Sequence, residues 1–371
     1  MNTETILIAA LSGRALAQSA RRAGYIPLVA DCFGDEDTRA LAADTRVLRT
    51  ALQRGFRASE LTDALEEMSQ RVDGVIAGLV LGPGFEDSAD VVAALQTRFR
   101  LLGCTAECIA KSKDPATFFG LLNDLGIVHP RTSLDPPQTA AGWLSKRVGG
   151  CGGRHIRRLS KAPPAPSGQY FQEEIDAETV SVLAIVGREG TAFGFSQPWC
   201  APYHREPFRF GGSVNVEALD EDLEARLVDA CLALTKPLGL MGLVSFDFLV
   251  GPDEAYLIEV NPRPGASLDV LDDANGTLFA AHVAACQGRD FVDLLAKSWR
   301  PGACASAYVY ADQGPLTIGE TDWPDWVSDR PAAGSRLAAG APIATVHAEA
   351  ETASQSFKIC QQRITELLAM L

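Results

Sequence analysis

The 371-residue chain is short of basic residues, of paired cysteines and of long apolar runs, and each shortage removes a class of function. Lys and Arg number 33 against 47 Asp and Glu, a formal charge of −14 at pH 7, so most of the surface repels polyphosphate backbones and anionic lipid. Neither a nucleic-acid nor a membrane partner is expected. The nine cysteines stand at irregular spacings with no CxxC pair, which argues against a disulfide framework or a thiolate zinc site. The opening MNTETILIAAL has an acid at Glu4, no basic region and only a short apolar run before Ser12, the pattern of neither a signal peptide nor a membrane anchor. No other stretch nears the ~20 apolar residues that span a bilayer. A reduced, cytoplasmic protein is the expectation. There is no internal repeat, and the one biased tract, APPAPSG at 162–168, reads as a loop because proline cannot donate to a sheet.

What is present is the balance of a globular protein, 47% hydrophobic and 22% charged, at a length that suggests two or three domains of roughly 100–200 residues each. The first hundred residues alternate short β-branched runs with amphipathic stretches, as βαβ units do. Residues 6–11 read as a strand. Residues 14–23 follow as a helix with Leu16, Ala20 and Ala23 on one face and its arginines elsewhere, ended by Gly24. IPLVAD and GVIAG are further strands, and GPGFED is a turn. Near residue 105 the texture changes to two helices, TAECIAKSK and PATFFGLLNDLG. Then come the strand GWLSKRV, a glycine-rich turn, several strands and a long helix, EDLEARLVDACLALTKPLG. The C-terminal stretch carries the strand APIATVHAEA and a last helix over 353–371. The fold class is mixed α/β and α+β, with boundaries near 105 and 295: 1–105 a Rossmann-like layer, 106–295 a β-rich core, 296–371 a C-terminal β-rich and helical piece packed back on it.

Four constellations carry chemistry. In VSFDFLVGPDEAYLIEVNPRPG, Asp247, Glu259 and Asn261 interrupt two apolar strands joined by a tight turn. Period-2 alternation puts Glu259 and Asn261 on one face, and antiparallel pairing can bring Asp247 opposite them. Magnesium favours such hard oxygen ligands beside nucleotide phosphates, and Arg263 stands close enough to oppose phosphate charge. Taken alone, Glu259 reads equally as a solvent-facing strand acid. The turn GGCGG, with Gly149, Gly150, Gly152 and Gly153 around Cys151, is bounded by Lys146 and Arg154. Glycines let backbone N–H groups wrap a phosphate, but no GK[ST] follows as in a Walker A loop, and a flexible hairpin has the same composition. In YFQEEIDAETVSV, apolar Phe171 and Ile175 flank polar residues and Glu178 precedes a β-branched strand; such an edge can offer main-chain groups to a purine and an acid to ribose hydroxyls, but by itself it reads as an exposed acidic loop. Lys113, between two helices, is by itself an ordinary surface charge.

In this order the four pieces resemble the ATP-grasp superfamily of carboxylate ligases over most of the chain. KSKDPATFFGLLNDLGIVHP is similar to the family's opening lysine, helix and G-I-x-x-P segment, and LSKRVGGCGGRHI to its second lysine strand and mobile glycine loop. Family members commonly place proline after that second lysine, where this chain has Arg147. The resemblance implies an ATP-grasp fold with an N-terminal Rossmann-like layer and a small C-terminal piece. It implies phosphate contacts from Lys113, Lys146 and the glycine loop, adenine recognition at Glu173 and Ile175, and ribose binding at Glu178. It carries magnesium ligation, with manganese as the alternative ion, to Asp247, Glu259 and Asn261, and a catalytic cation to Arg263. The implied activity joins a carboxylate to an amine through an acylphosphate, releasing ADP, with both substrates small molecules; a homodimer is compatible with it. His204, Arg205 and Arg209 in YHREPFRFGGS are the candidates for receiving the substrate carboxylate. The opening residues further resemble an ATP-grasp carboligase group found with tetrahydromethanopterin-linked one-carbon metabolism, which implies a place in cofactor biosynthesis. Two other readings are an ATP sensor without chemistry and a dinucleotide-dependent oxidoreductase. The second lacks its phosphate turn, because SGR stands where GxGxxG is required.

Overall fold

The computed structural model describes residues 4–160, 168–216, 218–295 and 302–371. The proline tract at 162–166 therefore lies outside the described residues. The N-terminal part is a four-stranded parallel sheet in the order Asp44–Val47, Ile26–Asp31, Thr5–Ala9, Ile76–Leu81. Alternate residues of its apolar strands enter two different cores. Ile6, Ile8 and Val29 face Leu16, Ala17 and Ala20 of the helix Arg14–Arg22, whereas Leu7, Ala9 and Leu28 face Leu61, Leu65 and Met68 of the helix Ala58–Ser69. Covering on both faces is why these strands read as continuous apolar runs. The edge strand Asp44–Val47, half-buried throughout and made of DTRV, carries no such signal and escapes the sequence reading.

Arg14 departs from its expected place on the outer face of the first helix. It is 2% exposed, and its guanidinium forks onto Asp269 at 2.5 and 2.7 Å and onto Asp329 at 3.0 and 3.1 Å. Ser12 and Thr345 hydroxyls also donate to Asp329. One cation thus ties the N-terminal sheet to two distant segments.

The largest sheet has eight antiparallel strands in the order Ala255–Asn261, Gly242–Val250, Glu178–Val186, Thr191–Cys200, Phe210–Val216, Ala303–Tyr310, Pro342–Ala350, Val327–Ser328. The C-terminal strands lengthen this sheet edge to edge. The long helix Glu221–Leu238, capped by the Asp220 carboxylate and closed by left-handed Gly239, lays Leu227, Cys231, Leu234 and Leu238 against Val182, Ala184, Val244 and Phe246. A separate four-stranded antiparallel sheet, Thr132–Ser133, Gln169–Glu173, Trp143–Arg147, Ile156–Arg158, carries the glycine-rich turn between its last two strands. Among the described residues no helix is long and apolar enough to cross a membrane.

Candidate active site

The strands Gly242–Val250 and Ala255–Asn261 pair with Asp247 opposite Glu259 and Ser245 opposite Asn261. On its other side Asp247 pairs with Ser181, whose hydroxyl donates to Asp247 Oδ1 at 2.6 Å. Asn261 Nδ2 donates to Asp247 Oδ2 at 3.0 Å, which turns the Asn261 carbonyl toward Lys113. The three oxygen-bearing side chains therefore converge as the alternation requires. Burial, with Glu259 adding to it, pushes Asp247 up to about 6. Burial is the largest influence on Glu259 and would raise it, but Lys113, His155 and Lys146 together outweigh burial and hold that carboxyl below its ordinary range.

Lys113 ends the helix Ala106–Lys113, which starts at the Thr105 cap and is followed at once by Asp114, cap of the helix Pro115–Leu125. Two abutting helix ends fix its backbone. Its Nζ reaches Glu259 Oε1 at 2.5 Å and Asn261 Oδ1 at 2.9 Å, with the side chain 7% exposed, so it is no solvated surface charge. Lys146 is likewise buried: on the strand Trp143–Arg147 it points inward while Arg147 points out, and it donates to Gln172 Oε1 at 2.6 Å. The missing proline after Lys146 has not turned the lysine away. Burial lowers Lys146 to about 8. Arg263 is gripped by Glu86, with Nε and Nη2 at 2.8 and 2.7 Å from Oε1.

Glu86 is a residue the sequence reading passed over. It sits in the turn GPGFED, and its other oxygen accepts from the Gly84 amide at 2.7 Å. A polar residue in a strand-to-helix turn is too common to single out. His155, just past the glycine loop, was passed over as well: its Nδ1 is buried without a hydrogen-bond partner, and burial lowers the ring to about 4, so it is neutral at pH 7.

The glycine loop is clamped from two sides. Gly149, at φ +68°, lies so close to the turn at 86–87 that a Cβ would stand 2.5 Å from Asp87 Cβ. Gly153, at φ +72°, leaves no room for a Cβ beside the Phe208 carbonyl. The Phe210 amide donates to Gly152 O at 3.0 Å, and Arg154 pairs with Glu206 at 2.9 Å. Gly150 is filled over by the His155 ring. Gly153→Ala combines a forced left-handed backbone with a clash against a carbonyl, so loop amides should exchange hydrogen about tenfold faster than in the parent, the equivalent of roughly 1–3 kcal/mol of strain. Unchanged exchange would show that the loop is not held by this contact.

The purine candidates lie at the end of the strand Gln169–Glu173 and in the segment after it, and the ribose candidate starts the strand Glu178–Val186. Glu173 and Ile175 are half-buried, and Glu178 is exposed with one oxygen 3.4 Å from Gln197 Nε2. Glu178 stands three strand residues from Ser181, the neighbour of Asp247, or about 10 Å along the sheet.

Of the substrate-carboxylate candidates, Arg209 needs correction. Arg209 is 1% exposed and spends its guanidinium on Asp312 at 2.9 and 2.7 Å and on Ala201 O at 2.8 Å, with Tyr310 stacked 3.7 Å away. Buried and paired in this way, its charge is committed inside the protein. His204 and Arg205 are exposed at the tip of the hairpin closed by Tyr203 and Glu206, which meets the glycine loop. Alternating polar residues near a strand end looked the same in sequence whether they faced a ligand or an internal partner.

Among the described residues no three His, Cys, Asp or Glu side chains form a metal cage. Two carboxylates and one amide oxygen instead leave a hard cation to complete its shell with phosphate and water, the habit of magnesium, and a cation already rests on two of these donors in the form of Lys113. The donor set fits that ion.

The ATP-grasp domain family matches residues 112–267. The carbamoyl phosphate synthase large chain of Myxococcus xanthus is 23% identical over 304 residues, covering 72% of this chain and 26% of its own, so the chain spans about a quarter of that relative's length. Biotin carboxylase of Campylobacter jejuni, solved with β-γ-ATP, superposes with a TM-score of 0.70 at 16% identity over 96% of this chain and 90% of its own. The L-amino acid ligase of Bacillus licheniformis superposes with a TM-score of 0.69 at 12% identity over 100% and 98%. The chain has the ATP-grasp fold, and the stretch 112–267 that matches the ATP-grasp domain family holds both lysines, the glycine loop and the hairpin of Asp247, Glu259 and Asn261.

Proposed function

We propose that this protein is an ATP- and magnesium-dependent ligase that joins a carboxylate to an amine and releases ADP. The observation that carries this reading is the convergence of Asp247, Glu259 and Asn261 with Lys113, Lys146 and Arg263 at the foot of the glycine loop. Asp247, Glu259 and Asn261 hold the metal, which when bound offsets charge on the transferring phosphoryl group. Lys113, Lys146 and the loop amides of Gly149, Gly150, Gly152 and Gly153 bind phosphate, Glu173 and Ile175 the adenine, and Glu178 the ribose. The substrate carboxylate attacks the γ-phosphate to give an acylphosphate, and the amine displaces phosphate from it. Arg263 stabilises the oxyanion charge that builds in both steps. Biotin carboxylase and an L-amino acid ligase, whose fold this chain shares, support the reading.

The finer parts of the proposal are a division into units at about 105 and 295, a homodimer, a cytoplasmic setting and a role in cofactor synthesis for one-carbon metabolism. Incubating the protein with ATP, magnesium and pairs drawn from amino acids and cofactor precursors should release ADP only when both a carboxylate and an amine are present. ATP binding with no ADP from any pair would favour the sensor reading instead. Lys113→Ala should weaken ATP binding about tenfold or more by calorimetry, as expected for a lost charge-assisted phosphate contact. Unchanged affinity would remove Lys113 from the phosphate site.

A further inference from the structure

The three cations of the site are held differently. Arg263 is forked onto Glu86 and meets the proposed metal ligands only through a long contact, Nη2 to Asn261 Oδ1 at 3.5 Å. Lys146 rests on the neutral amide of Gln172. Lys113 sits closest on the proposed metal ligands and reaches two of them, with Nζ 2.5 Å from Glu259 Oε1 and 2.9 Å from Asn261 Oδ1. A magnesium ion needs its ligand oxygens at about 2.0–2.1 Å, so an ammonium group that close to two of its three donors excludes it by both space and charge. The Lys113 backbone is fixed by the two helix ends, but its four-carbon stem can swing the ammonium elsewhere. A polyphosphate arriving beneath the glycine loop offers several negative oxygens in exchange for one carboxylate and one amide.

We propose that Lys113 is a stand-in cation that closes Glu259 and Asn261 in the nucleotide-free protein, so that divalent metal enters with or after the nucleotide and not before it. This rests on the nucleotide–metal reading of the site and adds an order of binding to it. The order keeps a half-buried carboxylate paired between turnovers.

The test is Mn2+ uptake, read by electron paramagnetic resonance and by the Mn2+-induced rise in melting temperature, with and without ADP. The parent should bind Mn2+ at least about tenfold more tightly with ADP present than without it. Lys113→Gln should bind Mn2+ without nucleotide at least about tenfold more tightly than the parent, and Lys113→Arg, which keeps the charge in place, should behave as the parent does. Equal nucleotide-free affinity in the parent and Lys113→Gln, with ADP still drawing Mn2+ into both, overturns the stand-in role alone. So does a parent that binds Mn2+ equally well with and without ADP, a result that needs no variant to fold. No Mn2+ uptake by any form even with ADP overturns the metal site itself, and this proposal with it.

Discussion

Replacing Glu259 by glutamine is expected to lower ADP formation by at least ~10²–10³-fold, the scale on which single electrostatic groups act in phosphoryl and acyl transfer. The protein should remain folded. The swap keeps size and one carbonyl oxygen, but it removes the charge that both holds a divalent ion and pairs with Lys113 at 2.5 Å. The Glu259 side chain keeps 29% of its surface exposed, so water can solvate the amide that replaces it and the fold loses little. Asn261→Leu should also stop turnover, because it deletes the oxygen facing Lys113 and the amide that donates to Asp247. A folded Glu259→Gln protein that turns over any accepted substrate pair at near the parental rate would sink the metal assignment and most of the ligase reading.

The largest effect on stability is expected at Arg14, a residue to which no chemical role is assigned. Arg14→Met keeps much of the volume but leaves Asp269 and Asp329 without their cation, with Asp269 only 9% exposed. Breaking a buried pair from one side costs about 3–5 kcal/mol, so the midpoint of chemical denaturation should fall markedly. Removing one of the two unpaired carboxylates with Asp269→Asn in the same protein should recover part of the loss, since the two sites are coupled. The pH dependence has a definite sign. Burial acts to raise Asp269, but Arg14 outweighs it and holds the carboxyl below its usual value. The pair's contribution is therefore complete above the ordinary carboxylate pKa of about 3.9 and is lost as pH falls through the lower folded value. An Arg14→Met protein as stable as the parent, with an unchanged acid limb, would show that the fork contributes nothing.

These two predictions were not equally visible in the sequence. Glu259 could be found because polar residues interrupting apolar strands are rare, and because a tight turn fixes which positions face each other. Lys113 and Lys146 could be assigned only through resemblance, since a lysine at a helix end or on a strand has no local feature separating a buried cation from a solvated one. Arg209 shows the converse failure. Its sequence surroundings suit a carboxylate site, yet it is consumed by Asp312, which is 103 residues away. Glu86 was read as part of a turn, and it meets Arg263 across 177 residues.

By itself the sequence determined the alternation of strands and helices, the two-faced burial of the first sheet and the register that brings Asp247, Glu259 and Asn261 together. All of these depend on periodicity and on neighbours a few residues away. Only the tertiary structure decided which charged side chains are neutralised inside the protein: Lys113 by Glu259, Arg263 by Glu86, Arg209 by Asp312 and Arg14 by Asp269 and Asp329. The physical reason is that an ion pair depends on distance in space and on the water excluded around it, and neither is encoded at the position of the charge along the chain.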